Sequence, residues 1–359
     1  MVEAAGRKKQ RRETGGVNRG QKGVDQIRDR TFHCGSSCGN KPKRRSNFRK
    51  LIKRGEMATT DTACTGENSL TLSYPKRPSI AFSNYLFDLY HQAKNATADE
   101  IRFDLTRTES FTPFGIIMLT ATIAECLNRG KRCTYRRPVK RSAQRFFREV
   151  GFNQYFKLLD GAHTEPHNIR TGDIQLVRLT GLNTEIADEI TEILDYHLRI
   201  SEGLKGSLRL SISEAITNVI DHSGVKDYYI CCWNYPSLKQ IRLCIADLGM
   251  GIRSSLTKRS EYSYIKNDHQ AILKAIENGV SSRPEKAGLG LDHISRFLRV
   301  NKGQLCIISC RGKVFWKFDH GKTLKQKMKT PFHGTIIKMI INSDRESLYF
   351  LSSEKEYLF

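Results

Sequence analysis

Residues 208–222, LRLSISEAITNVIDH, form a helical pattern with two glycine-bearing turns behind it in a fixed order, and that order narrows the possible folds more than any other part of the chain. Leu208, Ile212, Ala215, Ile216 and Val219 recur at helical spacing, while Glu214, Asn218 and Asp221 fall on the opposite side. One face suits a core and the other suits chemistry. Glu214 and Asn218 lie one turn apart, with His222 one turn further, so an E-x-x-x-N-x-x-x-H helix presents a carboxylate and an amide side by side. Taken alone, such a polar face is more often simply solvated; the strands and glycine turns downstream give it weight.

Residues 227–235 and 240–246 read as two strands joined by a turn at 236–239. The second strand delivers Asp247-Leu248-Gly249-Met250-Gly251, a carboxylate followed by two glycines that permit a tight turn and a close approach of backbone to ligand. Ala287-Gly288-Leu289-Gly290-Leu291 then opens an apolar helix whose free N–H groups and positive dipole end suit phosphates. Finally Gly334-Thr335 enters a strand at 336–341.

In this order the motifs resemble the ATP-binding domain shared by gyrases, heat-shock chaperones, histidine kinases and mismatch-repair ATPases, the GHKL superfamily. SEAITNVIDHSG, IADLGMGI, AGLGLDHI and HGTIIKMII look most like bacterial anti-sigma-factor serine kinases, and the resemblance covers residues 182–342. It implies ATP and Mg²⁺ as ligands. Asn218 would hold Mg²⁺ against the triphosphate, with Asp221 and His222 beside it. Asp247 would accept a hydrogen bond from the adenine amino group, Gly249 and Gly251 would let the base lie on the backbone, and Thr335 would support the adenine pocket. Gly288, Leu289, Gly290 and Leu291 would close the phosphate side, and Glu214 would be the general base. The chemistry of the residues agrees with these roles. Mg²⁺ keeps several waters and takes few protein oxygens besides phosphates, so one amide ligand suffices. A carboxylate one turn away stands where an attacking oxygen loses its proton.

Residues 252–286 occupy the position of the lid over ATP in this superfamily and include a helical pattern at 270–277. Arg283 and Lys286 are its candidate phosphate contacts, although a basic residue in a loop is more often only solvated.

Further upstream, strand, helix, strand and helix patterns at 101–105, 114–127, 132–136 and 142–150 imply parallel pairing. This stretch resembles a STAS domain, the fold of anti-sigma-factor antagonists, over about residues 99–156. It departs from that family where the phosphorylated serine should stand: Ser110-Phe111-Thr112-Pro113-Phe114-Gly115 lacks the usual Asp-Ser pair. A packing or interaction module is the favoured reading there. Another amphipathic helix is expected at 79–94, and a strand at 70–73. Residues 163–173, with Pro166 and Gly172, mark a domain boundary, and Thr184 caps a helix with a stripe of Ile186, Ile190, Ile193, Leu194 and Leu198. His197 on that helix lacks the neighbours of a sensor-kinase phosphoacceptor and reads as a partly exposed residue.

The chain of 359 residues has room for two domains. The expected fold class is α+β: a two-layer α/β sandwich of the GHKL (Bergerat) type over 174–342, a small STAS-like α/β domain over 76–165, a basic tail over 1–75 and a C-terminal tail over 343–359, the last packed as a small helix or loose. Too few residues follow Asn342 for the transducer domain of the gyrase and mismatch-repair branches. No apolar run approaches the roughly 20 residues of a membrane helix or resembles a secretion signal, so a cytoplasmic protein is expected. Ten cysteines, several on strand patterns, suit buried thiols in a reducing compartment.

Net charge is +23, of which residues 1–56 hold +12, with 17 Lys/Arg against 5 Asp/Glu. That segment has no apolar periodicity and reads as disordered. It is either a nucleic-acid-binding arm held by phosphates, or a stretch upstream of a start at Met57, since Lys53-Arg54-Gly55-Glu56 fits a purine-rich ribosome-binding site. Cys34 and Cys38 have no second ligand pair for zinc. Two function classes emerge: an ATP-dependent serine/threonine kinase, or a nucleotide-gated binding module or slow ATPase. The partner in either case is a protein such as a sigma factor or a STAS-type antagonist, and a homodimer is open.

Overall fold

A helix apolar on every side must be covered on every side, and residues 113–128 are such a helix. The computed structural model describes residues 68–153, 156, 177–180, 185–223, 227–277, 279–280, 290–343 and 348–349. Residues 1–67 with Cys34 and Cys38, the connection at 163–173, Thr184, Arg283, Lys286, Gly288 and Leu289 lie outside the described residues.

Three strands, β1 (Ser69–Ser73), β2 (Glu100–Asp104) and β3 (Arg132–Arg136), form a parallel sheet in that order, with Ile101 opposite both Leu70 and Cys133. The parallel pairing of β2 with β3 is the one expected from the strand and helix order; β1 joins the same sheet in parallel as well. The sheet takes in residues 69–73, which lie within the stretch expected as tail. Helix α1 (Ser83–Asn95) follows β1, and α2 (Pro113–Asn128) links β2 to β3. Pro113 in the first turn and Thr112 as cap start α2, Thr112 Oγ1 accepting the Gly115 amide at 3.2 Å. Thr120 and Thr122 are fully buried on it and donate to the Ile116 and Met118 carbonyls at 2.8 and 2.6 Å. These bonds keep buried hydroxyls satisfied. Helix α3 (Arg141–Glu149) completes this part.

The second sheet has five strands: β4 (Val177–Thr180), β6 (Asp227–Tyr235), β7 (Gln240–Asp247), β9 (Lys322–Asn342) and β8 (Gln304–Lys317), antiparallel in that spatial order. The β6–β7 hairpin closes through Pro236–Leu238, and Lys239 takes a left-handed φ of 48° as the stop. Ile230, Leu243, Ile245, Ile307, Ile337 and Met339 point to one side, into a core shared with α4 (Glu185–His197), α5 (Glu202–Ser223) and α8 (Gly290–Val300). The expected stripe of α4 is buried there. The alternate residues Tyr229, Cys231, Cys244, Ala246, Cys306, Ile308 and Ile336 point to the other side, into one continuous core with α1 and α2. That explains the all-round apolarity of α2: it is packed between the two sheets. The expected boundary between the two parts does not interrupt the packing, because residues on both sides of it share this core.

Of the C-terminal stretch, the described residues Leu348–Tyr349 form β10, which pairs in parallel with β5 (Arg199–Ile200). No described helix is long and apolar enough to cross a membrane. Among the described residues every cysteine is a free thiol, all buried except the half-buried Cys310.

Candidate nucleotide site

Helix α5 begins six residues before the expected start, at Glu202, and buries Leu204, Leu208, Ile212, Ala215 and Ile216. Glu214 and Asn218 stand half-buried on its other side. Asp221 and His222 fall in the last turn of the same helix, and their side chains lie outside the described part. Strand β7 ends at Asp247, which is only 2% exposed although it carries a carboxyl group. Its Oδ1 accepts the Gly249 amide at 2.7 Å. Burial pushes its pKa up to about 7, against the pull of hydrogen bonds from Gly249 and from the backbone and side chain of Thr335.

Close backbone approach at this point depends on glycine. Gly334 has φ 129°, and a Cβ there would lie 2.0 Å from the Asp247 carbonyl oxygen. No side chain fits. Gly251, with φ 80°, opens α6 (Gly251–Leu256), and a Cβ there would lie 2.7 Å from both Ser309 Oγ and Cys310 Sγ. Ser309 Oγ accepts the Ile252 amide at 2.8 Å, and Ser309 pairs across the ladder with Thr335. The 247–251 turn is therefore clamped from both sides, by Gly334 and Thr335 on β9 and by a bulge at Ser309 and Cys310 on β8.

Gly290, expected on the phosphate side, permits a close helix–helix contact. A Cβ on Gly290 would lie 2.9 Å from Glu214 Cβ and 3.0 Å from the Ser211 carbonyl oxygen, so the start of α8 lies directly on α5 at Glu214. Leu291 packs beside the inner core, and α5 also touches β7, α6 and β9. The structure thus brings together Asp247, Gly249, Gly251 and Thr335 around the turn that follows β7, and separately Glu214 with Gly290 where α8 meets α5; Asn218 stands one turn beyond Glu214 on α5, the helix that touches β7, α6 and β9.

The lid position is built in part as packed structure. Helix α7 (Asp268–Ala275), two residues earlier than the expected pattern, is capped by Asn267, and Leu256, Tyr262, Ile265 and Ala271 form a small core with it. Arg253 Nε pairs with Asp268 at 3.1 Å, and Gly312 of β8 gives α7 room, since a Cβ there would lie 2.9 Å from Asp268. His197 is half-buried near Asn234, its Nδ1 3.5 Å from the amide nitrogen.

Two parts of the site escaped sequence reasoning. The Ser309–Cys310 bulge sits in a run, LCIISCRG, that reads as an uninterrupted strand. The segment 329–333 before Gly334 is fastened to α1: Phe87 stacks on Phe332 at 4.9 Å, His91 Nε2 lies 2.8 Å from the Pro331 carbonyl oxygen, Asn84 Oδ1 accepts the Lys329 amide at 3.0 Å, and Thr330 donates to Asp88. The one signal for it was the apolarity of α2 on all sides, which required a second covering layer.

A group of three or more His, Cys, Asp or Glu able to hold a metal ion does not occur among the described residues. The oxygen donors on α5 fit a cation that takes most of its ligands from phosphates and water. No family model matches the chain, and no curated protein shows significant similarity to it.

Proposed function

We propose that the chain is an ATP-binding regulatory protein of the GHKL type that acts as a serine/threonine protein kinase of the anti-sigma-factor kind. The observation that carries this reading is Asp247: a buried carboxyl at a strand end, with its backbone against Gly334 and its side chain against Thr335. An isolated ionised carboxylate is costly in such a place, and a donor from a ligand would offset that cost. The adenine amino group is such a donor. Asn218 would supply an amide oxygen to Mg²⁺, and Glu214, against Gly290, would take the proton from the attacking hydroxyl. Bound ATP with Mg²⁺ would supply the phosphoryl group for transfer. The contributions of the chain itself are to position, to exclude water around Asp247 and to hold a base at Glu214.

A specific observation favours the second class as well. The β1–β3 part shares a core with the ATP-site sheet and is fastened at 329–333, next to Thr335. A nucleotide that shifts Thr335 would shift α1, so occupancy would be read out at the upstream surface without any transfer. Incubation with γ-labelled ATP and a partner recovered by pull-down separates the classes. Label on a partner serine or threonine is expected for the kinase; nucleotide-dependent capture with no label selects the gated module; neither result would remove both.

A further inference from the structure

The geometry points to a second binding surface, on the outward continuation of the strands that clamp the nucleotide site: the β8–β9 ribbon binds duplex DNA through its phosphates. Residues 1–56 carry +12 of the net +23, which leaves +11 for the remainder. Residues 311–329 alone hold seven Lys/Arg and one Asp, which is +6 within 19 residues. More than half of the remaining net charge is thus on one hairpin.

Most of this charge faces solvent, Lys313 being turned inward with its Nζ donating to the Ile80 carbonyl at 2.9 Å. Lys322, Lys325, Lys327 and Lys329 are all exposed. The single carboxylate of the ribbon, Asp319, faces His320 at 3.3 Å, and the nearby Asp268 is taken by Arg253. Over residues 322–328 β9 has a ladder partner only in β8; from Lys329 onward α1 covers the strand, and His269 Nε2 lies 2.8 Å from the Gln326 carbonyl oxygen, so the open edge is the part nearest the hairpin turn. Lys325 and Lys327 share one face of the strand, opposite Val314 and Gly312.

Lysines on an open edge also serve to prevent edge-to-edge pairing, and that role would account for Lys325 and Lys327. It does not account for Lys317 and Lys322, which stand directly opposite each other across the ribbon. Like charges in that position destabilise a hairpin, and a polyanion laid along the ribbon removes the penalty. A two-stranded antiparallel ribbon is one of the elements that the DNA major groove admits. Lysines without a bidentate fork act on phosphates as point charges, so the interaction is independent of sequence.

The test is anisotropy of a labelled mixed-sequence duplex of 20 base pairs titrated with the full chain over a salt series. The K322Q/K325Q/K327Q/K329Q variant keeps shape and removes four charges. Removing one lysine–phosphate interaction lowers the slope of log affinity against log salt by about one, so a decrease of about four is expected, with at least about a tenfold loss of affinity at low salt. Any binding by residues 1–56 is common to both proteins and cancels in the difference. Should the fourfold variant fail to fold, K325Q/K327Q is expected to remove about two from the slope. A slope unchanged within one unit overturns the proposal, as does a variant that aggregates while binding DNA like wild type, which would leave the lysines as edge guards. Loss of binding to phosphatidylserine vesicles with DNA binding unchanged would overturn it in favour of a membrane surface.

Discussion

Replacing Asp247 by Asn tests the electrostatics of the site without any ligand. In the folded chain the carboxyl titrates near 7, against an ordinary value of 3.8, because it is buried. A raised carboxyl binds its proton more tightly in the folded state. Its contribution to stability is therefore fully present below the unfolded pKa, and is lost as pH rises toward 7. At about 1.4 kcal/mol per pH unit, wild type should lose about 3 kcal/mol between pH 5 and pH 8 from this group alone. The amide keeps the shape and still accepts from Gly249, but it has no charge to bury. The measurement is urea unfolding of both proteins at pH 5, 6, 7 and 8, taking the difference at each pH so that all other titrating groups cancel. The variant should gain on wild type by about 3 kcal/mol across the range, with most of the change complete by pH 7. Parallel pH profiles for the two proteins would refute the role given to burial.

Three other substitutions probe the assembly around Asp247. Gly334→Ala forces a methyl group to within 2.0 Å of the Asp247 carbonyl oxygen, so the β7–β9 junction must move; loss of several kcal/mol in urea unfolding and of ATP binding is expected. Phe87→Ala removes the ring stacked on Phe332, at a cost of about 3–5 kcal/mol, and should weaken ATP affinity measured well below the unfolding midpoint; unchanged affinity would show that α1 does not communicate with Thr335. Glu214→Gln should bind ATP like wild type but lose about 10²–10⁴-fold in turnover or transfer with the partner present, and equal rates would remove Glu214 as the base.

Much of this site was legible in the sequence because it is carried by local patterns. The apolar stripe of α5, the Asp-x-Gly-x-Gly turn after β7 and the glycine at the start of α8 each follow from spacing: the stripe is buried in the inner core, the turn lies against Gly334, and Gly290 lies against Glu214. Parallel pairing of β2 with β3 was equally readable from the alternation of strand and helix. The hidden parts depend on contacts distant in the chain. His91 meets Pro331 across 240 residues, and no periodicity in either segment announces the other. The two faces of the five-stranded sheet are both apolar, and a run buried on both faces does not say what covers it. The Ser309–Cys310 bulge left no mark because Cys310 adopts φ 50° without a glycine to signal it. The β5–β10 pairing involves two residues per strand, too few for a pattern.

Whether ATP binds at the end of β7 through Asp247 is decided by calorimetry of ATP and GTP with and without Mg²⁺, on wild type, Asp247→Asn and Asn218→Ala. The expected results are binding of ATP but not GTP to wild type, loss of ATP binding in Asp247→Asn with or without the metal, and a defect in Asn218→Ala that is marked only when Mg²⁺ and the triphosphate are both present. Wild-type protein that binds no adenine nucleotide, or an Asp247→Asn variant that binds ATP as tightly as wild type, would contradict the assignment.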